Sequence, residues 1–153
     1  MKGIILAAGR GSRMGDMTNN LPKCRTILHG KELIKWQLDA MKRAAIKDIS
    51  IVRGYLGDTF DFKVTYFENE RWSNTNMLTS LITANEWLET DTCITSYSDI
   101  VYSSDTVKKL ISFRGDIVIT YDPNWLDLWN MRFDNPLLDA ETFKLNGNKV
   151  VEI

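Results

Sequence analysis

The sequence predicts an α/β fold in one domain spanning residues 1–153, with a mainly parallel sheet covered by helices. Short apolar runs recur along the chain and mark strands, while the segments between them carry apolar residues at steps of three and four, the period of a helix packed by one face. The two kinds of segment alternate, which is the pattern of strand, helix and returning parallel strand. No repeat, linker or low-complexity stretch interrupts that order.

The first strand is expected over Gly3 to Ala7, ahead of a glycine-rich loop. His29-Gly30 marks a turn. Ile34, Leu38, Met41 and Ala45 then fall at steps of four, three and four and define a helix from about Lys31 to Ala44. Strands follow over Asp48 to Val52 and Lys63 to Phe67. Met77, Leu81, Ala84 and Leu88 repeat the helical spacing, and Cys93 to Tyr97 forms another strand. Val107, Leu110 and Ile111 define a shorter helix that Ser103 or Ser104 would cap. A strand is expected over Asp116 to Tyr121. A weaker pair, Thr142 to Leu145 and Lys149 to Ile153, flanks Asn146-Gly147-Asn148, a hairpin turn.

Composition narrows the function. A chain of 153 residues buries about two thirds of its unfolded surface and needs no covalent staples. Its 19 basic and 20 acidic side chains leave a net charge of −1, so no broad basic field exists for nucleic acid or an anionic membrane. Cys24 and Cys93 have neither metal spacing nor a pairing framework and read as reduced thiols. No secretory leader and no run of about 18 apolar residues is present, and a cytoplasmic location is expected.

The chemistry concentrates in Ile4 to Met14 with Leu21-Pro22-Lys23 shortly after. A strand feeds a loop in which Gly9 and Gly11 let backbone N–H groups approach an anion, while Arg10, Arg13 and Lys23 supply three positive charges suited to a polyphosphate. A Walker A loop is excluded, because neither glycine is followed by Gly-Lys-Ser/Thr at the required spacing. A dinucleotide fingerprint begins at Gly9 and Gly11 but puts Met14 in place of the third glycine. Loops at the carboxyl ends of parallel strands share one edge, so Ser98-Asp99-Ile100 would approach phosphates held by the Gly9 loop. There Asp99 suits a hard cation carried by a triphosphate, although a Ser-Asp pair would equally serve as a turn cap. No serine-histidine or cysteine-histidine arrangement is evident, and the single histidine, His29, sits in the turn.

Leu6-Ala7-Ala8-Gly9-Arg10-Gly11-Ser12-Arg13-Met14 and Pro22-Lys23 resemble the opening signature, LAAGxGxRM and then PK, of the nucleotidyltransferases that couple a nucleoside triphosphate to a sugar phosphate or alcohol phosphate. The resemblance implies a Rossmann-like three-layer sandwich of the GT-A type and a magnesium-dependent transfer that releases pyrophosphate. It implies that Arg13 holds the β- and γ-phosphates, Lys23 the α-phosphate region, and Asp99 the Mg2+. Nucleotide contacts are expected from Leu6, Ala8, Gly9, Arg10, Gly11 and Ser12, and base contacts from Asn74, Asn76 and Ser80, with Asn74 also a candidate helix cap.

Within that family the order of segments is most similar to the bacterial choline-phosphate cytidylyltransferases. Gly54-Tyr55-Leu56 after the second strand and the segment Asn74 to Leu81 agree in order with them, as do Ser98-Asp99 and a tryptophan-bearing loop after Tyr121. Cytidine triphosphate and a phosphocholine-like acceptor are therefore favoured. Uridine or deoxythymidine triphosphate with a sugar phosphate, or a nucleotide-binding module without catalysis, are the alternatives. Trp125, Asp127 and Trp129 are expected at a cationic acceptor group, or the two indoles simply fill the core or an interface. The resemblance also implies a longer domain with a further carboxylate that Asp139 and Glu152 do not convincingly replace. A C-terminally shortened fold with weak turnover alone is expected, and exposed strand edges invite a homodimer.

Overall fold

A computed structural model describes residues 1–153. Residues Met1–Arg114 form one compact unit and Gly115–Ile153 a second.

The first unit is built on a parallel sheet of β1 (Lys2–Ala7), β4 (Asp48–Arg53), β5 (Thr65–Glu68) and β6 (Cys93–Tyr97), in the order β5-β4-β1-β6. Both faces of β1 are buried. Ile5 and Ala7 pack with Ile49 and Ile51 beneath helix α1 (Leu33–Arg43), which supplies Ile34, Leu38 and Met41, and helix α4 (Ser104–Ser112), which supplies Val107. Ile4, Ala8 and Val52 face the other way, onto Ala84 and Trp87 around helices α2 (Met77–Ile82) and α3 (Asn85–Thr90). This two-sided burial is why the central strands β1 and β4 read as near-continuous apolar runs, whereas the edge strand β6 alternates buried and exposed residues. Each fully enclosed isoleucine contributes roughly 1.5–3 kcal/mol.

Most expected elements occur within a residue or two of their expected bounds, and four differ. The first helix starts at Leu33 and not Lys31, because Lys31–Glu32 (β3) pairs with Ile27–Leu28 (β2) across His29 and Gly30. Those two residues have φ of 49° and 75°, the left-handed pair that a two-residue hairpin turn requires. The single helix expected through Met77 and Leu88 is two helices. Thr83 ends the first, its hydroxyl donating to the Ser80 carbonyl at 2.7 Å, a local bond that competes with the helical ladder. Asn76, and not Asn74, caps α2, its side chain accepting from the Thr79 N–H at 3.0 Å. Asp116 to Tyr121 is not a strand: Ile117 is 89% exposed and no neighbour supplies the ladder that an extended apolar segment needs.

In the second unit, helix α5 (Trp125–Asn130) accompanies an antiparallel hairpin of β7 (Lys144–Asn146) and β8 (Lys149–Glu152), closed through Gly147 at φ 60°. Ser103 is the N-cap of α4, accepting from the Thr106 N–H at 3.1 Å.

Candidate functional site

The sheet register sets the site. Leu6 lies beside Tyr97 and Ala7 beside Arg53, so the loops after β1, β4 and β6 leave the same rim. Lys23 and Asp99, 76 residues apart in sequence, meet there with Lys23 Nζ 2.6 Å from Asp99 Oδ2. Both side chains stay partly open to solvent, at 33% and 38% exposure, so the pair adds little to stability.

Two glycines in the loop face different demands. Gly11 has φ +72°, and a Cβ there would stand 2.9 Å from Lys23 Cβ, so glycine is what allows the chain to fold over Lys23. Gly9 has neither constraint, since a Cβ there would meet nothing within 4 Å. Arg10 and Arg13 are exposed, whereas Ala8 is buried and Leu6 half-buried; Ser12 opens the 3-10 turn Ser12–Thr18 that carries Arg13.

Arg10, like Lys23, is engaged within the chain. Arg10 donates to Asn19 Oδ1 at 2.8 Å and lies over the Tyr55 ring at 5.6 Å. The Tyr55 hydroxyl in turn donates toward the carbonyls of Thr18 and Asn19 at 2.8 and 2.9 Å, its ring packs edge-on against Trp72, and its backbone N–H donates to the Ala8 carbonyl at 2.9 Å. Tyr55 therefore braces both ends of the loop. Its position in Gly54-Tyr55-Leu56 was visible in the sequence, but its reach across 36 residues to Asn19 was not.

Of the expected base contacts, Asn74 and Asn76 are exposed, and Asn76 is engaged as the α2 cap. Ser80 is buried instead, its hydroxyl accepting from Asn69 Nδ2 at 2.9 Å. Asn69 also donates to Thr75 Oγ1 and accepts from the Arg71 N–H. This enclosed amide shapes residues 69–80, a role the sequence did not signal because a lone asparagine after a strand reads as a turn residue.

Cys24, adjoining Lys23, is enclosed, and burial pushes its thiol up to about 12. It is not a nucleophile near neutral pH.

Within the second unit a cavity of about 520 Å³ is lined by Tyr121, Trp125, Trp129 and Phe143 with Asp122 and Glu141 among its acids. Trp129 Nε1 donates to Asp139 Oδ2 at 3.1 Å. Trp125 and Trp129 thus both line one concave surface. Asp127 is exposed and does not line it, because at i+2 from Trp125 it falls on the other side of α5.

A model of the MobA-like NTP transferase domain matches residues 3–143. The chain belongs to this family. It is 37% identical over its whole length to a CTP:phosphoglutamine cytidylyltransferase of Campylobacter jejuni, covering 65% of that protein. It is 30% identical over 68% of its length to a 2-aminoethylphosphonate cytidylyltransferase of Lancefieldella rimae, covering 45% of it. Among solved structures, the CTP:phosphocholine cytidylyltransferase of Streptococcus pneumoniae superposes with a TM-score of 0.61 and 32% identity, over 68% of this chain and 49% of that one. The chain thus spans from under half to just under two thirds of the length of these relatives. The mainly parallel sheet with helices on both faces is the Rossmann-like, GT-A-type arrangement that this family resemblance implies.

Proposed function

We propose that the chain carries the nucleotide-binding part of a cytidylyltransferase that transfers a nucleotidyl group from CTP to a small phosphorylated acceptor and releases pyrophosphate. The observation that carries this is the convergence of Lys23 and Asp99 at 2.6 Å on the rim where the Gly9 to Arg13 loop emerges. The three relatives described act on CTP or are named for cytidylyl transfer, which favours CTP over UTP or dTTP.

In this reading an acceptor phosphate oxygen attacks the α-phosphorus in line and negative charge spreads over the oxygens between entering and leaving groups. Arg13 holds the leaving β- and γ-phosphates, and Lys23 leaves Asp99 to stabilise the α-phosphate in the transition state. Backbone N–H groups from Gly9 to Ser12 line the phosphates, with Leu6, Ala8 and Arg10 flanking them. The acceptor phosphate is already ionised near neutral pH, so no protein base is required. In this reading Asn74 and Asn76 contact the base, while Ser80 acts from below by holding Asn69.

The residues fit a bound Mg2+. A single half-exposed carboxylate at a fixed strand end suits an ion that takes one or two protein carboxylates and completes its shell with phosphate oxygens and water. Asp99 would hold it, and when bound it neutralises charge on the phosphate oxygens.

The acceptor is proposed to carry an ammonium group. Choline and aminoethylphosphonate both do, and the indoles of Trp125 and Trp129 with Asp122 and Glu141 offer aromatic faces and negative charge to such a group.

Titration calorimetry of CTP, UTP and dTTP, with and without Mg2+, on wild type and Lys23→Ala tests the reading. CTP is expected to bind best, with Mg2+ dependence, and to lose about tenfold or more in affinity in the variant. Binding indifferent to both Mg2+ and Lys23 would favour a module without catalysis. Preference for UTP or dTTP, followed by pyrophosphate release with a sugar phosphate, would favour a sugar-phosphate nucleotidyltransferase.

A further inference from the structure

Helix α1 turns an apolar stripe toward the sheet through Ile34, Leu38 and Met41, and each of these is at most 4% exposed. Gln37 stands in the middle of that stripe and is 0% exposed. Its amide oxygen has no hydrogen-bond partner. A buried unpaired carbonyl is costly, and a leucine or methionine would fill the same space without that cost. The nitrogen end of the amide accounts for the residue. Nε2 donates to the Tyr97 carbonyl at 2.8 Å and to the Ile100 carbonyl at 2.5 Å. Two carbonyl acceptors fix which end of the amide faces them, since the oxygen could bond neither.

Those two carbonyls bracket Asp99. Tyr97 ends β6 and Ile100 follows the turn, so one amide group grips the backbone on both sides of the carboxylate that faces Lys23. The Ser96 hydroxyl adds a second donor to the Tyr97 carbonyl at 2.9 Å. Asp99 itself is on an exposed turn, and Ile100 and Val101 after it are 45% and 49% exposed and give it little packing. The hold on this loop therefore comes from beneath, from α1.

We propose that Gln37 is a positioning residue for Asp99: it holds the Tyr97 to Ile100 turn so that the carboxylate is presented to the metal of a bound triphosphate. The proposal rests on the reading of Asp99 as the metal ligand. Groups that orient a metal ligand without touching the metal carry about ten- to a hundredfold of its affinity.

The test measures the dissociation constant of CTP in excess Mg2+ and in EDTA, and takes their ratio as the metal-dependent part of binding. Gln37→Met keeps the length and volume of the side chain and removes the donor. The expected result is a loss of about tenfold in that ratio, with the EDTA affinity and the thermal midpoint unchanged, and faster hydrogen exchange in residues 98–101. A purely structural role would lower the thermal midpoint and both affinities together, and that outcome would overturn the proposal. An unchanged ratio in Gln37→Met would overturn it as well. Gln37→Leu serves as the second variant should the methionine fail to fold. Asp99→Ala separates the two readings. If it abolishes the ratio while Gln37→Met preserves it, the positioning role alone is wrong; if it preserves the ratio, the metal role of Asp99 is wrong and the positioning role falls with it.

Discussion

At the residue scale, Gly9 and Gly11 are two positions apart yet answer to different forces, and that difference can be measured. Gly11 is demanded by the fold itself, through a left-handed φ and the 2.9 Å approach of Lys23. Gly11→Ala is expected to destabilise the first unit by about 1–3 kcal/mol in denaturant unfolding. Gly9 meets no such demand, and the role proposed for its glycine is to let a ligand lie against the backbone. Gly9→Ala is expected to leave the unfolding midpoint in place while lowering CTP affinity about tenfold, read by calorimetry, the effect of a methyl group between backbone amides and phosphates. Equal loss of stability in the two variants would contradict this division. The cationic loop was legible in the sequence because its composition is unusual; the partners that hold Arg10 were not, since Asn19 and Tyr55 reach it only through the turn geometry.

At the scale of elements, the β2–β3 hairpin is tied to its surroundings by Glu32, which ends β3 at the start of α1. Burial pushes its carboxyl up, but Lys35 at 2.7 Å and Arg25 at 2.7 Å outweigh burial and hold it below the usual carboxylate range. Arg25 carries the link onward to the Thr59 carbonyl. A depressed folded-state pKa means stability that is present above the unfolded value of about 4.3 and is lost as pH falls through the folded value. Glu32→Gln is therefore expected to cost about 1–3 kcal/mol at pH 7, with the gap to wild type closing as pH drops below about 4. Chemical denaturation at several pH values checks it, and a constant gap would refute it. Elements whose signal was local were read from the sequence with little error, Cys93 to Tyr97 among them. Those that depend on a distant partner were not: the apolar pattern of Asp116 to Tyr121 carries no strand without a neighbour, and Ser80 was assigned to the base when Asn69 holds it inside.

For the whole molecule, the division at Arg114 separates two regimes of packing. The first unit holds both apolar clusters, on opposite faces of one sheet. In the second unit Pro136 is the only buried residue, and its sheet is a two-stranded hairpin with every residue exposed. Isolated hairpins of this kind are marginally stable. Hydrogen exchange is expected to show amides of β1 and β4 protected to the limit of global unfolding, while those of residues 115–153 exchange through local opening many times faster. Uniform protection across the chain would contradict that. The aromatic and acidic character of residues 121–129 was plain in the sequence, yet which acids line the cavity was not: helix phase places Asp127 outside it, while Asp122 and Glu141, on segments flanking α5, are within.

The central claim is that Lys23 and Asp99 exchange each other for a triphosphate and its metal. A crystal structure of the chain with CTP and Mg2+ is the direct measurement. It is predicted to show Lys23 Nζ withdrawn from Asp99 onto phosphate oxygens and the Asp99 carboxylate on the ion, with the phosphates against the backbone of Gly9 to Ser12. An intact pair at 2.6 Å with the nucleotide bound elsewhere would contradict the account.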